Sequence, residues 1–420
     1  MTRFLVIYED SRWEQLSPLA DLLPVPGLRF GASTLGARWA RALDLPLLAS
    51  EARPQALAAW REPLPLARER PADDDEVVIV NAAALPGAWA AGLREPGPDA
   101  LLVSAGEPVA ARARFRALAS CLGADAGFES RLAALGLPRR DVEATLLRWP
   151  WDLVLHQAAA LVADLAGLPA RIEGAVHPSV ALLEPDRVVV EAGARIDPLA
   201  VLDARGGPVF VARDAVVLAH SVIEGPCVIG RGSQVLGGVV RRSTVGPGCR
   251  IAGEVEETLW QGWANKRHHG FVGHSVVGEW VNLGALTTTS DLKNNYGPVR
   301  VWAGGRERDS GTNKVGSVVG AHVKTGIGTL LPTGCSIGTG SNVFGGGRFA
   351  PKRVPSFSWW DGERTIEHRL DPFLRTAAVV MGRRGFELGA SERVLLSALF
   401  DATAPEREGF PEPERAIGRG

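Results

Sequence analysis

The stretch Val211-Ala-Arg-Asp-Ala-Val-Val217-Leu-Ala-His-Ser-Val-Ile223-Glu-Gly-Pro-Cys-Val-Ile229-Gly-Arg-Gly-Ser-Gln-Val235 sets the architecture, because an aliphatic residue returns every six positions across it. Six matches neither the roughly 3.6-residue turn of a helix nor the two-residue alternation of an ordinary strand. It fits a triangular coil in which each side is a short strand, one aliphatic residue per side points inward, and Gly, Asn or Asp turns the corner. Three sides make a rung. Rungs stacked about 4.8 Å apart pair their backbone groups with the rungs above and below, and the inward residues form columns. Coils of this kind wind left-handedly, against the usual right-handed crossover. A sandwich of short strands would not hold a six-residue register over five successive positions.

The same period returns at Val319, Thr325, Leu331, Ile337 and Val343, and in shorter runs at Val190/Ile196/Leu202, Val245/Ile251 and Val277/Leu283. Two stretches, Glu256 to Gly270 and Leu286 to Gly316, lack it and read as long loops on a rigid scaffold, where function concentrates. Pro355-Ser-Phe-Ser-Trp-Trp360 reads as leaving the coil, and Phe373 to Met381 and Glu392 to Phe400 as C-terminal helices covering its open end. Upstream, composition changes near residue 170, from Ala, Leu and Arg-rich text to Val, Ile and Gly-rich text. Phe4 to Tyr8 and Val77 to Val80 are continuous apolar runs of the kind found in buried parallel strands, with helical patterns around them. The division expected is an α/β domain over 1–145, a connecting helix over 146–170, the coil over 171–350 and a helical extension over 351–420. Trp149 to Ala166 reads as one helix, started by Pro150 and stopped by Gly167 and Pro169, and His156 within it is given no role.

With 46 Lys plus Arg against 47 Asp plus Glu, the chain has no general field for nucleic acid or an anionic membrane. Its four cysteines, Cys121, Cys227, Cys249 and Cys335, are scattered and form no CxxC pair, so they read as reduced and buried. The apolar run within Met1 to Tyr8 is short for a signal peptide and no run approaches membrane-spanning length, which gives a cytoplasmic expectation.

The densest polar text is Asn265-Lys-Arg-His-His-Gly-Phe-Val-Gly-His274, followed by Gly278-Glu-Trp-Val-Asn-Leu-Gly284 and Ser290-Asp-Leu-Lys-Asn-Asn-Tyr296. Over roughly residues 170–385 this resembles the acetyltransferase half of the bifunctional enzymes that make UDP-N-acetylglucosamine. It is most similar to a divergent branch of that family, the sugar nucleotidyltransferases. The resemblance implies a homotrimer that transfers an acetyl group from acetyl-CoA to the amine of an amino sugar phosphate such as glucosamine-1-phosphate, with uridylyl transfer as a further activity. It selects His268 as the catalytic base, five residues before Gly273, and Asn282, Asn295 and Tyr296 as substrate contacts. Imidazole suits a base that takes a proton near neutral pH. Lys266, Lys293 and Arg300 are then candidates for the sugar phosphate and Lys324 for a coenzyme A phosphate, with ordinary surface charge as the competing account of each.

There are departures from that family. Phe271 stands where its acetyltransferases carry a substrate tyrosine, and Glu256-Glu257-Thr258 replaces a stretch bearing a lysine. The N-terminal region has no glycine-rich phosphate loop, although Leu28-Arg-Phe-Gly31, Thr34-Leu35 and Arg38-Trp39 match the divergent branch. Arg29, Thr34, Arg38 and Asn81 are its nucleotide-site candidates, Asn81 standing where a metal-binding aspartate would be expected, so UTP and Mg²⁺ belong to the reading only if this region is active. Two alternatives share the coil. One is a trimeric carbonic anhydrase holding zinc across a subunit interface through His269, His274 and His220; the other is a nucleotide-sugar-binding scaffold without enzymatic activity.

Overall fold

In the computed structural model, which describes residues 2–123 and 127–411, the chain forms two compact units. The first comprises 1–16, 22–28 and 33–148; the second comprises 17–21, 29–32 and 149–420, its last nine residues lying outside those described.

The first unit is built on a six-stranded sheet of β1 (Arg3–Tyr8), β2 (Leu47–Glu51), β3 (Glu76–Asn81), β4 (Ala100–Ser104), β5 (Glu107–Arg114) and β6 (Arg139–Asp141), in the order β2-β1-β3-β5-β4-β6. β1 runs parallel to both β2 and β3, while β5 is antiparallel to β3 and β4. The apolar runs of β1 and β3 are buried along their length because both faces of these central strands are covered. Phe4, Val6, Tyr8, Val77 and Ile79 pack with Leu101, Leu118, Phe128 and Leu132 in one core. Helix α1 (Leu35–Leu43) starts where Thr34 Oγ1 accepts the Ala37 N–H at 3.1 Å and stops at Asp44 in the left-handed region.

The second unit is a left-handed parallel β-helix of about 11 turns. Its first face is a ten-stranded parallel sheet from Arg171–Ile172 to Arg353–Val354. Along it Val190, Val211, Ile229, Val245, Trp260, Val277, Val319, Ile337 and Val354 stack in register. Ile196, Val217, Val235 and Ile251 form the column of the second face, and Leu202, Ile223, Val240, Val255 and Val272 that of the third. The six-residue repeat therefore steps from face to face, and each fully buried aliphatic contributes about 1.5–3 kcal/mol.

Three expectations are corrected by the register. Residues 256–270 are not a loop: Leu259–Trp260 and Asn265–Lys266 are rung strands, with Trp260 and Lys266 in inward positions where neither looks like a core aliphatic. The coil also continues past Pro351, since Trp359–Trp360 pairs in parallel with Asn342–Val343. Finally, the helix read across Trp149 to Ala166 is two, α2 (Pro150–Leu155) and α3 (Gln157–Leu165), broken at His156. The true insertion lies within the second loop, where Arg300–Ala303 and Arg306–Asp309 form an antiparallel hairpin.

One corner of the coil carries large side chains in the left-handed conformation, at Trp263, Trp280, His322 and Phe357. A non-glycine residue there costs about 1–2 kcal/mol. Stacking offsets it, Trp263 lying over Trp280 with centroids 5.3 Å apart and planes 11° from parallel, and Phe386 standing edge-on to both. The C-terminal helices α4 (Leu370–Gly382) and α5 (Ala390–Ala402) occur as expected, but α4 packs on this corner rather than over the open end: Phe373 meets Phe357 at 5.1 Å and His322 at 5.7 Å.

Candidate active site

The polar cluster read from the sequence is spread over two faces and two corners of the coil. On the outward positions of the second face, Asn265, Asn282, Lys324 and Asn342 stand above one another in successive parallel bridges. Asn265 Nδ2 donates to Asn282 Oδ1 at 2.7 Å, which fixes the orientation of the Asn282 amide. Lys324 Nζ donates to the His322 carbonyl at 3.1 Å, and desolvation pulls its ammonium down to about 8. Asn265 and Asn342 escaped the sequence reading because their alignment with Asn282 exists only once rungs stack.

Where the second face turns into the third, His268 and His269 are exposed. Their corner is held by its backbone: the Leu286 N–H donates to the His269 carbonyl at 2.9 Å and the Glu254 N–H to the Gly270 carbonyl at 3.2 Å. Lys266, expected to meet a sugar phosphate, is wholly buried, its Nζ donating to the carbonyls of His268 at 2.8 Å and Ala252 at 3.3 Å. Phe271 follows on the third face, half-buried.

A second corner carries a ladder of alternating charge whose members come together only when the rungs stack. Arg242, Glu257 and His274 occupy left-handed corner positions, with Arg242 Nε 2.7 Å from Glu257 Oε1 and His274 Nε2 3.1 Å from Glu257 Oε2. His274 Nδ1 lies 2.6 Å from Asp291 Oδ2, at the start of the insertion. Burial alone would lower the His274 pKa, but hydrogen bonds to Asp291 and Glu257 carry it up to about 9. The hydrogen bond from His274 correspondingly brings Glu257 down to about 2. This imidazolium pins the insertion to the coil. It also counts against the zinc reading with His269 and His220, because both ring nitrogens of His274 are taken by carboxylates.

Beyond Asp291, Asn295 and Tyr296 lie in an exposed turn, Tyr296 being 70 % accessible, with the Tyr296 N–H donating to the Lys293 carbonyl at 2.9 Å. Arg300 sits on the hairpin, where its Nε donates to Glu307 Oε2 at 3.1 Å. Glu307 also receives Lys352 at 3.1 Å, so Arg300 belongs to a surface charge network.

The nucleotide candidates are not brought together. Arg29 groups with the second unit and donates from its backbone N and its Nε to Gln261 at 2.7 and 2.8 Å. Thr34 is the cap of α1, and Arg38 is buried on that helix. Asn81 is buried at the end of β3, donating to Asp10 Oδ2 at 2.9 Å and accepting from the Ala83 N–H at 2.9 Å. The sheet reverses its winding at β1, the usual place for a ligand crevice, and a cavity of about 290 Å³ lies there. Glu9, Asp10, Glu51 and Glu129 line it against Arg53, whose guanidinium is held by Glu9 at 2.8 Å and rests on the Trp13 ring. This lining repels phosphate. Nor does it fit Mg²⁺, because Asp10, the carboxylate beside Asn81, is occupied by the Asn81 amide and by Arg148 at 2.8 Å.

Residues 5–171 match the family model described as sugar nucleotidyl transferase. A bifunctional sugar-1-phosphate nucleotidylyltransferase/acetyltransferase of Sulfurisphaera tokodaii is 34 % identical over 93 residues, covering 22 % of this chain and 23 % of that protein. The bifunctional protein GlmU of Heliobacterium modesticaldum is 30 % identical over 193 residues, covering 46 % and 39 %. These matches span less than half the length of either relative. Among solved structures, a UDP-N-acetylglucosamine acyltransferase from Campylobacter jejuni aligns with 56 % of this chain and 91 % of its own at 13 % identity and a TM-score of 0.27. Over part of its length the chain is thus similar to bifunctional sugar-1-phosphate nucleotidylyltransferase/acetyltransferases, and residues 5–171 match the sugar nucleotidyl transferase model.

Proposed function

We propose that the coil transfers an acetyl group from acetyl-CoA to the amine of an amino sugar phosphate such as glucosamine-1-phosphate, with His268 as the general base. The observation that carries this reading is the His268 imidazole, exposed at a corner whose backbone is fixed from inside. In the reaction the amine nitrogen bonds to the thioester carbonyl carbon, His268 takes the amine proton, and the C–S bond breaks as the tetrahedral centre collapses. The proton then passes to the departing coenzyme A sulfur. Asn282 and the Asn295–Tyr296 turn would hold the sugar. Lys324, partly exposed on the second face, would meet a phosphate of coenzyme A.

The working form in this reading is a homotrimer in the cytoplasm, whose neighbouring chains complete the surface around His268. No helix is long and apolar enough to cross a membrane among the described residues. The acidic crevice of the first unit gives no support to a uridylyl step, so none is assigned to it. The test is release of free thiol from acetyl-CoA on addition of glucosamine-1-phosphate, with pyrophosphate from UTP followed separately. Thiol release that His268→Ala abolishes supports the proposal; full activity in that variant overturns the mechanism.

A further inference from the structure

We infer that Lys266 is a positioning residue for His268, an ammonium built into the core of the coil to hold the backbone from which the imidazole projects. The inference rests on the acyl-transfer reading, but its geometry does not. Asn265–Lys266 pairs in register with Arg250–Ile251, so Lys266 continues the inward column of Val217, Val235 and Ile251. In the next rung Asn282 bridges Asn265, and Leu283 follows it in the chain and is buried. A lysine in that column replaces an aliphatic residue with a charge that has no access to water. Burying an ammonium costs several kcal/mol unless its donors are met.

The protons are directed to one place. Nζ donates to the carbonyl of His268 at 2.8 Å and to that of Ala252 at 3.3 Å, one on each of two successive turns of the same corner. Gly270 lets the corner close over the ammonium: a Cβ there would collide with the Thr287 carbonyl and lie 3.2 Å from Nζ. Desolvation lowers the ammonium to about 8, consistent with a group enclosed by protein rather than reaching for a ligand. The corner carbonyl of His268 is thus tied to the core through a flexible four-carbon stem. The His268 main chain is located by the interior, while its side chain stays free for substrate.

The test uses the full chain with Lys266→Met, which keeps the volume and removes the donors, and Lys266→Gln, which keeps an amide NH2 with two. Lys266→Met is expected to lower kcat by about 10- to 100-fold, the size of a small misplacement of a catalytic group, with KM for both substrates within about 3-fold. Lys266→Gln should recover part of that loss. Hydrogen exchange supplies a reading that does not need activity. The Leu286 and Glu254 amides, which donate to this corner, should exchange about 10-fold faster or more in Lys266→Met, while the Glu191 and Arg195 amides several rungs away keep their rates. If wild-type protein releases no thiol, the acyl-transfer reading fails, and unchanged exchange at Leu286 and Glu254 would separately overturn the positioning role. An increase in the sugar-phosphate KM with kcat preserved would also overturn it, because Lys266 would then be a substrate contact.

Discussion

The strand-end crevice of the first unit and the His268 corner of the second are both polar regions on apolar frames, but they treat their charges in opposite ways. In the crevice the side chains already hold one another: Glu9 pairs with Arg53, Asp10 with Asn81 and Arg148, and Glu129 accepts from the Ser11 hydroxyl. At the coil corner the charge is placed beneath the surface, on Lys266, and the titratable imidazoles of His268 and His269 face outward. A region whose polar groups are already bound to one another is built for stability. One that keeps its imidazoles exposed and directs its internal charge to the backbone leaves side chains free for a ligand.

That contrast can be broken most sharply at His268. His268→Ala should lower thiol release by about 10²–10⁴-fold and leave the melting temperature unchanged, since the side chain is exposed. The matching change in the first unit, Asn81→Ala, should do the reverse. It removes partners from Asp10 and the Ala83 N–H, so unfolding should show a loss of about 1–3 kcal/mol while thiol release is retained. If Asn81→Ala abolished thiol release in folded protein, the separation of roles would fail.

A finer comparison concerns the charge ladder. His274 has a folded pKa of about 9 against 6.5 for the free side chain, so its contribution is fully present below about 6.5 and is lost as pH rises through about 9. Denaturant unfolding should therefore show stability falling across that window, and His274→Gln should be less stable at pH 6 with the fall reduced. Glu257, held at about 2, contributes above its ordinary range near 4.5 and loses that contribution as pH falls through about 2.

The smallest effects are expected where charge is exposed or already satisfied. Arg300→Ala should change stability by no more than about 1 kcal/mol, because its pairing with Glu307 is at the surface. A large rise in KM for glucosamine-1-phosphate would instead place Arg300 on the substrate. Titration calorimetry with UTP and Mg²⁺ should give no saturable heat from the acidic crevice, and tight binding there would erase the contrast between the two regions.

Much of the coil was legible without coordinates. Val211, Val217, Ile223, Ile229 and Val235 announce three faces because an inward position tolerates little except an aliphatic side chain. The reading faltered where that rule was relaxed. Trp260 and Lys266 fill inward positions too, and their size and charge made residues 256–270 look like a loop. His156 concealed a break between α2 and α3 because a helix interruption needs only one residue out of helical register. At the site, His268 could be picked out from its neighbours in the chain, whereas the Asn265–Asn282–Lys324–Asn342 column could not.

The sequence by itself determined the repeat, the two-part organisation, the C-terminal helices and the polar text around His268, since all are written in local spacing and residue type. Only the tertiary structure decided that Lys266 is buried beneath the His268 carbonyl, that His274 is claimed by Glu257 and Asp291, and that Arg29 serves the second unit. His274 and Asp291 are 17 positions apart and Arg29 and Gln261 are 232 apart, and the Lys266 ammonium lies beneath a carbonyl two residues on only because Lys266 takes an inward place in its column. Such placements depend on how many residues each turn of the coil contains, and that number is fixed by packing among the columns rather than by any one residue and its neighbours.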